Sequence, residues 1–312
     1  MLRTAASRTL YAVLTMLAAS LVLFLLFESS SGDVATDVLG AFSTAEQRQL
    51  WMLQNGYLDP APLRYLRYLR WLGGFLVGDM GQSRIFDVPV AGLVLQRLGA
   101  TAILAALFFA CLIPLSLALG VLAGMREGSL TDRVISALCV VTTSIPPFAS
   151  TVLVSAVLVF DLGLLPGTSS MMDGFDIRQT IMPVLVLLIY DVGYVARITR
   201  ASMAEVMTMP YMRAALLKGL PRHRVVLRHA LRNALVAPFT VLMLQVNWLI
   251  AGVIVVEFFF SYKGFGSLIL EASLGHDFFL LEACTMATVL IAVLTQTVAD
   301  IGYVYLNPQM RA

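Results

Sequence analysis

RAALLKGLPRHRVVLRHALRN, residues 213–233, is rich in arginine and contains no acid, in a chain that is 59% hydrophobic and 13% charged. Gly219 and Pro221 punctuate it. Glycine suits the position just past a helix end, and proline the first turn of the next helix. The spacing predicts helix, tight turn, helix. In the second helix Arg224, Arg228 and Arg232 recur every fourth residue along one face. Val226, Ala230 and Ala234 follow the same spacing on another, and Leu227 and Leu231 extend that apolar side. Ala214 and Ala215 leave a low surface just before the turn.

Outward from this stretch the chain is apolar. An ordinary globular domain is roughly a quarter charged, and a membrane span takes about 20 mostly apolar residues. Six stretches of the 312 residues meet that measure: 10–27, 100–124, 135–160, 181–198, 235–258 and 283–306. The expected fold is an all-α polytopic membrane protein with six transmembrane helices in the lipid bilayer. The run from Leu10 to Phe27 also resembles a secretory signal, but it is long for one and no clean small-x-small site follows, which favours an uncleaved first span.

Charge placement orients the spans. Arg3 and Arg8 precede the first, and residues 197–232 carry eight Lys or Arg against one acid, Glu205. Basic segments stay in the cytoplasm, and four spans separate the two. Both termini are therefore expected in the cytoplasm, with Arg311 and the loop MREGSLTDR at 125–133 on the same side. The organisation follows: an N-terminal end and first span over 1–28, an external region over 29–98, and a five-helix core over 99–312. The basic loop occupies about 199–234 of that core. The net charge of +2 gives no reason to expect a nucleic-acid partner.

In the external region Arg64, Arg67 and Arg70 recur every third residue of RYLRYLRWL, a voltage-sensor spacing. Aromatic and leucine stripes accompany them, so an amphipathic helix at the outer membrane surface is the better reading. Gly73, Gly74, Gly78 and Gly81 are expected to break it into turns. Inside the spans, Gly120 and Gly124 form a GxxxG that lets a second helix approach, although glycine is common in membrane helices anyway. Pro114, Pro146 with Pro147, and Pro183 each free backbone groups. A moving conduit tolerates such breaks, and so does a kinked bundle.

Catalytic signatures are missing. The sequence holds no GxxxxGK[ST] phosphate loop, HExxH or GxSxG, so any ATP with its Mg belongs to another subunit and no cofactor is expected on this chain. Cys111, Cys139 and Cys284 all fall inside the expected spans as small packing residues, and His223, His229 and His276 are expected in loops. Three ionisable residues fall in spans. Glu257 and Asp300 are expected near span ends within reach of water, leaving Asp191 as the interior candidate for substrate contact, against the plainer pairing with Arg197 or a neighbouring helix.

A basic helix held by anionic lipid would explain the arginines as a topology signal. It does not explain small residues followed at a fixed distance by glycine and proline, which suit a docking surface for a cytoplasmic partner. YMRAALLKGLPRHRVVLRHALRNALVAPFT, residues 211–240, resembles the EAA loop of ABC importer permeases, in the version of the dipeptide/oligopeptide/nickel family, B-type subunit. LDPAPLRYLRYLRWLGGFLVGDMGQS, SIPPF at 144–148, DLGLLPG at 161–167, RITRASMAEV at 197–206, VVEFFFSYKGFGSLILEA at 255–272 and the terminal YLNPQMR agree in the family's order.

The resemblance implies a type I importer permease fold and a permease half without catalysis of its own. Its partners would be a second, usually paralogous permease, two cytoplasmic ATPases and an extracytoplasmic solute-binding protein, in a bacterial inner membrane. It implies that the loop is a coupling helix seated in a cleft of the ATPase. Arg213 stands in the place of the family's glutamate, as is usual in the peptide branch, and Ala214, Ala215 and Gly219 match. Pro221, Arg224 and Arg228 complete the expected coupling surface; Asp191, Pro146 and Pro147 are candidates for the translocation path. Two departures stand out. Ala237 and Pro238 shift by one residue the proline that follows ALV, which bears on the angle at which span five begins. Asp191 puts a charge where the family is apolar. Peptides are the expected solute, with nickel, opines and sugar conjugates as alternatives. A stand-alone secondary transporter would show inverted repeats or facing acids, and a pure scaffold would leave the proline breaks without purpose.

Overall fold

The computed structural model describes residues 2–40, 42–54, 63–171, 176–219 and 221–306. Arg311 and the LDPAP stretch at 58–62 lie outside them. Among the described residues thirteen α-helices follow in order: α1 (Leu2–Leu39), α2 (Ala45–Gln54), α3 (Arg64–Val77), α4 (Val90–Gly124), α5 (Leu130–Ser144), α6 (Pro147–Ser155), α7 (Ile177–Thr208), α8 (Pro210–Leu217), α9 (Arg222–Val225), α10 (Leu231–Ala234), α11 (Val236–Phe259), α12 (Phe265–Leu274) and α13 (Phe278–Leu306). Single π-turns extend α6 over Ala156–Asp161 and join α9 to α10 over Val226–Ala230.

Among the described residues four helices are long and apolar enough to cross a membrane, and two bent pairs, each taken as one span, bring the candidates to six. The expected third span is broken, with its halves, α5 and α6, meeting at 98°. Pro146 caps α6 and Pro147 opens it, so the chain can restart a helix there but cannot continue one. The other bend, 51°, separates the basic segment from α11. Pro238 falls in the first turn of α11, where its missing N–H costs little. Pro114 and Pro183 stay inside α4 and α7.

The chain divides into two compact units, residues 1–99 with 268–293, and residues 100–267 with 294–312. In the first unit, α3 lies along α1. Tyr68 and Trp71 set their rings 5.5 and 5.8 Å from Phe24, and the Tyr68 and Ser20 hydroxyls bond at 2.8 Å. The helix passes through Gly73 and Gly74, which were expected to break it, and stops at Gly78 in the left-handed region. Packing against α1 outweighs the glycine penalty of about 1 kcal/mol each. The segment after α3 is pinned by Asp277, whose carboxylate accepts from Ser83 Oγ at 2.6 Å and the Ile85 amide at 3.1 Å.

In the second unit α7 is central, packing against α5, α6 and α11 around a core of Phe108, Leu112, Met182, Leu187 and Val253. In lipid no hydrophobic force draws helices together, so close approach must supply the contact. A Cβ on Gly120 would strike Thr199 and lie 2.7 Å from the Ala196 carbonyl; one on Gly124 would lie 2.6 Å from the Arg200 carbonyl. GxxxG is therefore the seam of α4 on α7.

Candidate functional site

The basic segment folds back on the end of α7. Met212, Ala215, Val225, Val226, Ala230 and Ala234 are buried there with Met203 and Val206 of α7, and Val121 and Met125 from the end of α4 pack beneath them. Two polar links fix the position: Ser202 Oγ donates to the Ala234 carbonyl at 2.9 Å, and Asn233 Nδ2 to the Tyr211 hydroxyl at 2.8 Å. The expected apolar face of Val226, Ala230 and Ala234 is the buried one.

Three details differ from the periodicity argument. The alanine pair is split, with Ala215 in the core and Ala214 exposed. Leu227 faces outward, 65% exposed, because the π-turn inserts one residue and rotates the helix past its α register. Leu217, which stood for nothing in the sequence, is 88% exposed at the tip. The outer surface thus presents Arg213, Ala214, Leu217, Gly219, Pro221, Arg224, Leu227 and Arg228. His223 and His229 sit in helical segments of it, and only His276 occupies a loop.

Gly219 has φ +76°, a left-handed turn, with open space where a side chain would stand. Pro221 caps the helix that follows, its carbonyl accepting from the Arg224 amide at 2.9 Å and the Val225 amide at 3.1 Å. The turn is thus a backbone requirement with no steric limit on its outer side.

The base of this hairpin is tied to the preceding loop by residues that charge counting had treated only as topology markers. Arg200 donates to both oxygens of Asp132, at 2.9 and 2.7 Å, and Glu127 lies 3.4 Å away. Asp132 also accepts from the Gly128 amide at 2.9 Å, and Ser129 caps α5 by accepting from the Asp132 amide. A bidentate arginine fixes orientation as well as distance, so α5 and α7 are locked together beside the hairpin. An acid in the first turn of α5 and an arginine 68 residues on are joined by the fold.

Deeper in the second unit, Asp191 is fully buried and accepts from Gln245 Nε2 of α11 rather than pairing with Arg197. Its other oxygen and Asn247 Oδ1 are buried without a hydrogen-bond partner. Beside them Tyr194, Tyr190 and Trp248 form a stacked aromatic strip, with centroid separations of 6.3 and 5.6 Å. Glu257 is likewise buried, contrary to the expectation that water reaches it. It accepts from the Thr101 hydroxyl at 2.6 Å and the Ser267 amide at 2.9 Å, while Thr101 accepts from the Phe265 amide at 2.7 Å. These bonds satisfy the otherwise orphaned amides at the start of α12, and Gly264 and Gly266 leave room for the carboxylate. Asp300 accepts from Gln296 Nε2 at 3.2 Å. Among the described residues no group of three or more His, Cys, Asp or Glu could hold a metal ion.

Apolar helices broken at proline, a polar seam between two of them and a basic hairpin on an apolar base are the marks of a multi-pass membrane protein that presents a basic surface. Residues 116–312 match the binding-protein-dependent transport system inner membrane component family, and the chain belongs to it. It is 29% identical to the oligopeptide transport system permease protein AppB of Bacillus subtilis, over 97% of each chain. A putative peptide transport system permease protein of Brucella abortus (strain 2308) is 30% identical, and a probable peptide ABC transporter permease protein of Sinorhizobium fredii 28%, each over 97% of both chains. The chain is a multi-pass inner-membrane permease component of a transport system.

Proposed function

We propose that the chain is one permease half of an ATP-driven, binding-protein-dependent importer of di- or oligopeptides. Full-length similarity to permeases named for peptides supports the solute class. The observation that carries the coupling role is the two-sided hairpin. Its inner side is sealed on α7 and α4, while Leu217 and Leu227 stand exposed among Arg213, Arg224 and Arg228. Exposed apolar side chains ringed by charge suit a protein partner better than water. That partner is a cytoplasmic ATPase, which binds the ATP and Mg; the chain itself is a transport subunit without catalysis and binds no cofactor. A second permease, a second ATPase and an extracytoplasmic binding protein complete the assembly.

Transport proceeds by alternating access. A docked partner shifts the permease between conformers only if its contacts differ between them, and a hairpin continuous with α7 and α11 passes motion to both. Asp191, with its aromatic strip, and the Pro146–Pro147 break lie on the path the solute takes.

The test is reconstitution of the permease pair with its ATPases and binding protein in proteoliposomes. Peptide-stimulated ATP hydrolysis and peptide uptake are expected, and Leu217→Asp is expected to leave the chain in the membrane while the ATPases fail to co-purify. Uptake of another solute class but not peptides overturns the substrate; full co-purification and uptake by the variant overturns the coupling surface.

A further inference from the structure

We propose that the second unit holds an anionic phospholipid, with one acyl chain in a groove between α4 and α11 and the headgroup phosphate on Arg232. The groove, about 460 Å³, is lined wholly by apolar side chains, among them Phe109, Ile113 and Leu117 of α4 and Phe239, Met243 and Val246 of α11. It begins at Leu235, just past the basic segment. From there to Val246 α11 rises about 16 Å at 1.5 Å per residue, and one leaflet of hydrocarbon is about 15 Å thick. The groove therefore has the length of a single leaflet and ends near the midplane.

Its lining continues into charge. Residues 232, 235, 239, 243 and 246 recur at helical spacing, and the bonds from the Leu235 amide to the Leu231 carbonyl and from the Phe239 amide to the Leu235 carbonyl, both 2.9 Å, carry the register across the 51° bend. Arg232 thus stands, exposed, at the mouth of the stripe that walls the groove. No acidic residue occurs in the sequence between Glu205 and Glu257, so the segment that enters the groove is itself basic. An acyl chain gains dispersion contacts in an apolar groove, and an arginine at its end selects a phosphate carrying net negative charge. A helix of the second permease would cross both leaflets, whereas the groove lining runs only from Leu235 to Val246 on α11.

The experiment uses the whole importer in phosphatidylcholine nanodiscs containing a trace of phosphatidylglycerol or, separately, phosphatidylcholine, each with a photoactivatable acyl chain. Phosphatidylglycerol is expected to label peptides covering 109–117 and 235–246 several times more strongly, since one arginine near an anionic lipid is worth roughly a fivefold change. Arg232→Gln should bring phosphatidylglycerol labelling down to the phosphatidylcholine level. Met243→Trp should remove it for both lipids in protein that still elutes as the intact assembly. Equal labelling by the two headgroups in wild type, unchanged labelling in either variant, or capture of the second permease instead of lipid by Ile113→Cys cross-linking overturns the proposal.

Discussion

At the scale of single residues the turn at Gly219 carries the sharpest test. A β-branched side chain has space there but not the backbone, since φ +76° costs an L-residue about 1–2 kcal/mol. Gly219→Val is expected to abolish peptide-stimulated ATP hydrolysis and uptake while the chain still inserts, and Gly219→Asn, which tolerates the left-handed region, to retain most of both. Measuring the two variants side by side separates backbone from bulk: equal loss in both would place the requirement on size. Asp191→Asn keeps a bonding partner for Gln245 and removes only the charge. Uptake is expected to fall with assembly unchanged, and transport at the wild-type rate would take Asp191 off the path.

Among elements, the pairing of α4 and α7 decides whether the core forms. Gly124→Leu would drive a side chain into the Arg200 carbonyl and Met203, and overpacking of this kind costs about 1–3 kcal/mol or more. Earlier thermal unfolding of the detergent-solubilised chain is expected, with looser protease resistance at the hairpin base. Asp132→Asn breaks the bidentate bond that ties α5 to α7; Arg200 is 30% exposed on its side chain, so solvent screens part of the loss, leaving about 1–2 kcal/mol. Its readout is a lower midpoint in the same unfolding scan, and an unchanged midpoint would show that the link contributes orientation only. Glycine spacing announced the first contact in the sequence. The second was invisible there, because Asp132 and Arg200 had each been assigned to topology.

For the whole molecule, permeation should depend on partners. The purified chain in liposomes is expected to pass no peptide with or without ATP, and the complete assembly to pass peptide only with ATP; flux through the chain alone would restore the secondary-transporter reading. Six candidate spans, the basic hairpin and the family were legible because hydropathy, charge asymmetry and turn residues are local properties of the chain. The 98° break at Pro146 and Pro147 was legible as a break, although its angle depends on what α6 packs against.

Local chemistry therefore determined by itself that this protein is helical, apolar enough for a membrane and equipped with a helix–turn–helix surface of arginines. Tertiary structure alone decided which way those residues face. One π-turn moved Leu227 from the core side to the surface, the seam on α7 split Ala214 from Ala215, and the pairing of α7 with α11 gave Asp191 a partner 54 residues away. The physical reason is common to all three: hydrogen bonds along a helix set the spacing of side chains, but the phase of that spacing, and the partner of a buried polar group, are set by the neighbours it must satisfy.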